Sequence, residues 1–235
     1  MKKSLVLVCL GLALLAGRAH AAFLIEIDTD GLDDAILTYN SHFTFGGDTT
    51  QASQSSASSA FGLTGGDSIF GGDGVNEPDT YVYRYDPTTD ADNLNTTGQV
   101  LGVDLLGNPV GGTGKVGGAA GDYRIYAAWP ETVNVNSAGV DYTAVSGANS
   151  YSVHVDQNDP AIQGGWVYLG DITYDGSSGI ILKQEAVVNS FVSMRSAAVM
   201  FEPVPEPTSI LLTALGFCCF WARPNRMVSE IMSRT

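Results

Sequence analysis

Apolar and polar residues alternate with a period of two along most of the middle of the chain. Such alternation sends successive side chains to opposite faces of a strand, whereas a helix repeats near 3.6. The clearest runs are Tyr81-Val82-Tyr83-Arg84-Tyr85 and residues 99–106, 123–129, 140–145, 151–156, 166–172, 179–182 and 191–201. Turn formers separate them: Asp86-Pro87, Gly107-Asn108-Pro109, Asn158-Asp159-Pro160 and Asp175-Gly176. A shorter alternation, Phe23-Leu24-Ile25-Glu26-Ile27-Asp28, opens the body. Residues 46–121 hold 17 of the 28 glycines and no helical period, which predicts short strands joined by glycine turns. The pattern therefore predicts an all-β body over residues 22–203, an antiparallel β-sandwich or jelly roll.

The two ends break this pattern. Lys2 and Lys3 precede an apolar run, Ser4–Gly17, and Ala19-His20-Ala21 forms a small-x-small site. Residues 1–21 read as a signal peptide cleaved between Ala21 and Ala22, which implies Sec-type export and a signal peptidase. Ala22 stands where a lipoprotein would need Cys. At the other end Pro205-Glu206-Pro207 is followed by an uncharged apolar run, residues 208–222, and then by Arg223 and Arg226. The prolines disfavour helix entry upstream, the run seeks hydrocarbon as a single membrane helix, and the arginines prefer the cytoplasmic side. In that order these features resemble the PEP-CTERM sorting signal, here residues 204–226 with a tail at 227–235. The resemblance implies inner-membrane retention, then recognition of Pro205, Glu206 and Pro207 by an exosortase-type processing enzyme, with the product anchored, at the cell surface or extracellular. A plain C-terminal anchor gives the same topology.

A second resemblance lies in the body. Gly121-Asp122-Tyr123-Arg124-Ile125-Tyr126-Ala127-Ala128-Trp129-Pro130 is followed by Tyr142-Thr143, Tyr151-Ser152-Val153 and Gly165-Trp166-Val167-Tyr168-Leu169-Gly170. Residues 192–201 close the series. This order resembles the golvesin C-terminal-like β-sandwich, related in architecture to galactose-binding jelly rolls, over residues 120–202. In the closing strand Ser196 and Met200 replace the family's Asp and Arg. The resemblance implies that Ile27-Asp28-Thr29-Asp30-Gly31 supplies the first strand of the same sandwich, and that the protein works in or on an extracellular polysaccharide layer.

Charge narrows the partners. Residues 22–205 carry 23 acidic and five basic residues, a net charge of −18. A phosphate backbone needs a basic face, so nucleic acid is excluded as a partner. Cys9, Cys218 and Cys219 all lie in the terminal apolar runs. The body thus has no disulfide, thiolate zinc site or thiol nucleophile.

Four constellations offer chemistry. Trp129 and Trp166 could stack on sugar rings, although a Trp in a sandwich strand more often fills the core; Tyr83, Tyr85 and Tyr168 are weaker stacking candidates. Asp28-x-Asp30-Gly31-x-Asp33-Asp34 offers several hard oxygens in one loop, as calcium prefers, but Tyr39 occupies the twelfth place where an EF-hand needs Glu. Residues 62–76, with Asp67 and Asp73, approach the nonapeptide calcium repeat without enough copies for a roll. A structural calcium is the only cofactor these loops point to; a solvated acidic turn is the competing reading. Gly66-Asp67-Ser68-Ile69 resembles the nucleophile block of Gly-Asp-Ser-Leu esterases, but neither His42 nor His154 follows an Asp by three residues. Glycosidase carboxylates show no motif among the many acids. The expectation is an exported, non-catalytic, matrix-associated β-sandwich that binds polysaccharide. The alternatives are a hydrolase of extracellular polymers and a purely structural matrix protein.

Overall fold

The computed structural model describes residues 22–47, 51–53, 60, 63, 66–72, 79–90, 102–103, 109–110, 120–131, 133–188 and 190–204. All belong to one unit, Ala19–Val204; a second unit, Met1–Arg18 with Pro205–Thr235, lies outside the described residues. Every element among them is a strand: β1 (Phe23–Glu26), β2 (Phe43–Gly46), β3 (Gln51–Ser53), β4 (Ser68–Gly72), β5 (Thr80–Tyr85), β6 (Gly102–Val103), β7 (Pro109–Val110), β8 (Gly121–Ala128), β9 (Val140–Ser146), β10 (Asn149–Val155), β11 (Val167–Tyr174), β12 (Ile180–Ala186), β13 (Val192–Ser196) and β14 (Ala198–Pro203). All their pairings are antiparallel, so the all-β expectation holds.

The principal pairs are nested. β1 pairs with β14, β5 with β12, β8 with β11, and β9 with β10. Two further pairings, β14 with β8 and β12 with β9, join these ribbons into two sheets, β1-β14-β8-β11 and β10-β9-β12-β5. β2 extends the second sheet beyond β5. Smaller sheets, β13-β4-β3 and β6-β7, complete the strands.

Alternation decides which side chains meet. In β5, Tyr81, Tyr83 and Tyr85 are buried while Arg84 is exposed. They share one hydrophobic core with Phe23 and Ile25 of β1, Tyr123 and Ile125 of β8, and Val199 and Phe201 of β14, so the two main sheets face each other across it. The Tyr85 ring joins the layers: it stacks on Phe23 at 4.5 Å and lies 5.4 Å from Phe201 and 5.9 Å from Tyr123. Some polar atoms in this core are tied down by side chains. Tyr83 shares a hydrogen bond with Ser196. The Gln157 side chain donates to Tyr142 Oη and the Arg195 carbonyl and accepts from the Arg195 amide, each at 2.8 Å. A buried amide so engaged avoids the cost of lost hydration.

Four expectations need correction. The run 191–201 is not one strand: it divides at Ala197 into β13 and β14, which belong to different sheets. The small residues Ser196-Ala197-Ala198 let the chain bend there, and Ala197 bonds to Ala128 and Ile27 through its backbone. The first strand is Phe23–Glu26, not Ile27–Gly31, which follows it into a loop. Residues 179–182 continue as a strand to Ala186 because Gln184 turns inward to bond the Arg195 carbonyl. Within 99–106, the described strand is Gly102–Val103 alone.

Packing demands a glycine in β11. β11 carries a bulge between Tyr168 and Gly170, and a Cβ at Gly170 would lie 2.8 Å from the Tyr151 ring.

Because Tyr85 fills the space between the sheets, Tyr85→Ala is expected to destabilise the fold by about 3–5 kcal/mol. Urea unfolding should show a lower midpoint with little change in slope.

Candidate functional site

At the turn end where β5 leaves the second sheet, three separate segments enclose a shallow groove of about 330 Å³. Ser41 and His42 come from the turn before β2, Arg84, Tyr85, Asp86, Thr89 and Asp90 from the end of β5 and its turn, and Ser178 to Ile181 from the β11–β12 connection and the start of β12. The lining mixes polar groups, from Ser41, His42, Arg84, Asp86, Thr89, Asp90 and Ser178, with apolar surface from Ile180 and Ile181. His42 is held by its surroundings: its amide bonds Asn40 Oδ1 at 2.9 Å, and its ring meets Phe23 edge-on at 5.0 Å. His42 Nδ1 lies 3.1 Å from the Arg84 carbonyl and 3.6 Å from Asp90 Oδ2. Both neighbours only accept, so the contacts place a proton on Nδ1; in that tautomer of the uncharged ring Nε2 is an acceptor.

The groove carboxylates brace the turn. Asp86 Oδ1 accepts from Thr88 Oγ1 at 2.6 Å and the Thr88 amide at 2.9 Å, and Asp90 Oδ2 accepts from the Asp86 amide at 2.8 Å. The bonds from the Thr88 side chain and backbone hold the Asp86 carboxyl below its ordinary value. It is therefore a fixed anion and an acceptor, not a proton donor at neutral pH. The sequence read Asp86-Pro87 only as punctuation; its link to His42 is a matter of tertiary structure.

This use of aspartate recurs. Asp30, Asp34, Asp86, Asp156, Asp159 and Asp175 each accept the amide two residues on. Much of the acidic composition is thus turn chemistry. Asp30 is engaged further by Thr38 Oγ1 at 2.8 Å.

Asp28 and Asp67 differ. Asp28 is fully buried and accepts the Thr38 amide at 2.8 Å and the Asp67 amide at 3.1 Å. It thereby joins the two acidic segments that looked separate in sequence. Gly66 is required beside it, since a Cβ there would lie 2.7 Å from Asp28 Oδ2. Asp67 is 2% exposed, and neither carboxylate oxygen has a hydrogen-bond partner. Desolvation raises its pKa, opposed by the nearby Ala35 amide and reinforced by the charges of Asp28, Asp34 and Asp33. Asp33 lies on the exposed loop, and Asp73 lies outside the described residues. Among the described residues, no three His, Cys, Asp or Glu side chains are grouped to hold a metal.

The aromatic candidates separate. Trp129 is 1% exposed and donates its indole N–H to the Gln157 carbonyl at 3.2 Å, so its faces belong to the core. Trp166 is half-buried against Leu24, Tyr126 and Met200 on the outer face of the first sheet. Tyr83 and Tyr85, the weaker stacking candidates above, are fully buried because they occupy the inward positions of β5. Ser68, of the esterase-like block, sits in β4 with its hydroxyl buried and unpartnered, so no base activates it. His154 pairs instead with exposed Asp141 at 2.8 Å. Ala22 is buried just before β1. Ala21, Pro205, Glu206 and Pro207 lie outside the described residues; among those described, no helix is long and apolar enough to cross a membrane.

No family model matches the chain, and no curated protein matches it. Among solved structures it is similar to Paenibacillus xanthan lyase, at 14% identity and a TM-score of 0.47. That match covers 79% of this chain and 13% of the lyase chain, so the chain spans about an eighth of that protein's length.

Asp86 supplies a pH test. A carboxylate held below 3.8 stabilises the fold above that value, and the contribution is lost as pH falls through its folded-state pKa. Asp86→Ala is expected to lower Tm at pH 7 and to converge on wild type as the pH falls through the lowered folded-state pKa of Asp86, measured by thermal unfolding across the pH range.

Proposed function

We propose that this chain is an exported, non-catalytic jelly-roll module of a cell surface or extracellular matrix, which binds polysaccharide through the groove at His42 and Arg84. The nested order of strands supports the jelly roll. The observation that carries the binding reading is the groove itself: shallow, lined by hydroxyls and charged groups beside apolar surface from Ile180 and Ile181, with His42 and Asp86 held by hydrogen bonds. Sugar hydroxyls ask for such a mixture of donors and acceptors. The exposed Arg84 supplies donors, while Asp86, Asp90 and His42 Nε2 supply acceptors.

Export and sorting rest on the sequence at the ends, through Sec-type machinery, signal peptidase and an exosortase-type enzyme acting at Pro205-Glu206-Pro207. The geometry of the body is compatible with this traffic. Phe23 stands opposite Phe201, so the chain enters the sheet at Ala22 beside the place where it leaves at Val204.

A glycan array, screened with and without calcium, tests the binding reading. Arg84→Ala with His42→Ala should weaken any hit by about tenfold or more, equivalent to roughly 1.4 kcal/mol. Absence of hits in both conditions would leave only a structural role. For sorting, mass spectrometry of the mature C-terminus should show truncation near residues 205–208, and replacing Pro205-Glu206-Pro207 by alanines should preserve the anchored precursor. An intact Thr235 in every cell fraction of the wild type would refute processing.

A further inference from the structure

Asp67 presents an unresolved electrostatic problem. It is a carboxylate with 2% exposure; the Ala35 amide lies near it, but no hydrogen bond of full geometry reaches either oxygen. Its surroundings are acidic: Asp28 holds its amide, and Asp33 and Asp34 act on its charge from the next loop. A buried anion normally has a donor, a counter-ion or a metal. The body is poor in cations, with five Lys and Arg against 23 acids between residues 22 and 205.

The loop beyond Asp28 is built to face it. Its neck is closed by the Asp28–Tyr39 bridge, by the Thr29 amide on the Thr38 carbonyl at 3.0 Å, and by the Asn40 amide on the Ile27 carbonyl at 3.0 Å. Asp30 is occupied within this neck by Leu32 and Thr38. The tip stays exposed and carries Asp33 and Asp34. Ala35 takes a left-handed backbone with φ of 62°, and its amide lies near the Asp67 carboxylate.

We propose that Asp67 anchors a calcium site, in which Asp67 and Asp28 are the fixed buried carboxylates and the loop tip brings Asp33 and Asp34 onto the ion. All these donors are oxygens of the kind a hard cation takes. Calcium accepts about six to eight of them in irregular geometry, whereas magnesium demands a near-ideal octahedron. The described side chains are not yet grouped as a metal cage, so binding requires the tip to close over Asp67.

Thermal unfolding and calorimetric titration of the full-length chain in detergent test the assignment, with magnesium as control. Calcium should raise Tm with a dissociation constant of about 10⁻⁴–10⁻³ M, the range of extracellular modules. Asp67→Asn should weaken binding about tenfold or more, and its calcium-free form should be at least as stable as wild type, since a buried unpaired charge is gone. The double variant Asp33→Asn with Asp34→Asn lies on the exposed tip and should weaken binding without loss of folding; it carries the test if Asp67→Asn fails to fold. No calcium response at about 10 mM, well above that range, an equal response to magnesium, or unchanged affinity in these variants would overturn the site.

Discussion

The pairing of the first strand with the last governs this molecule. Phe23 to Glu26 bond to Phe201 to Ala198, so the outer ribbon closes only when both ends of the body are present. Inside that pair the strands match from the outside inward until β9 and β10 meet at a tight turn. Only the β9–β10 hairpin is local; the other three principal pairs close long loops, which costs chain entropy before any contact is gained. Burial must then supply the compensation, and it does so where the ribbons overlap, at Phe23, Tyr85, Tyr123 and Phe201.

The core that results is rich in tyrosine. Tyr81, Tyr83, Tyr85, Tyr123, Tyr126, Tyr142 and Tyr174 are all among the largest fully buried side chains. Each brings a large ring and a hydroxyl, and a buried hydroxyl needs a partner. Ser196 serves Tyr83 and Gln157 serves Tyr142. Burial raises the pKa of both phenols, so they remain neutral donors and acceptors at ordinary pH. Gln157 also grips both backbone groups of Arg195, which binds the loop after β10 to β13. Polar specificity and apolar burial are thus built from the same residues.

The acidic composition divides by depth. On exposed turns the carboxylates are satisfied by amides two residues on, and their charge shapes the loops that end the strands. Below the surface, Asp28 does structural work through two backbone amides, while Asp67 beside it has only the nearby Ala35 amide against its desolvation. The groove at His42 and Asp90 belongs to the first group, since its acids are committed to a turn and its openness comes from the spacing of the connections around it.

Local pattern alone determined a good deal. Alternation in β5, β8, β9 and β10 marks them as strands, and Asp86-Pro87 and Asp175-Gly176 mark where β5 and β11 stop, because side-chain facing and turn preference are properties of neighbouring residues. What alternation cannot carry is partner choice. Residues 191–201 look like one strand, and only the competing sheets on either side of Ala197 make them two. Gln184 looks like a strand end until the Arg195 carbonyl arrives from another strand to receive it. The same limit applies to the site: His42 and Asp90, or Asp28 and Asp67, lie about 40 residues or more apart along the chain. Their encounter depends on how distant strands nest, a global balance of burial against loop entropy that no short window of residues contains.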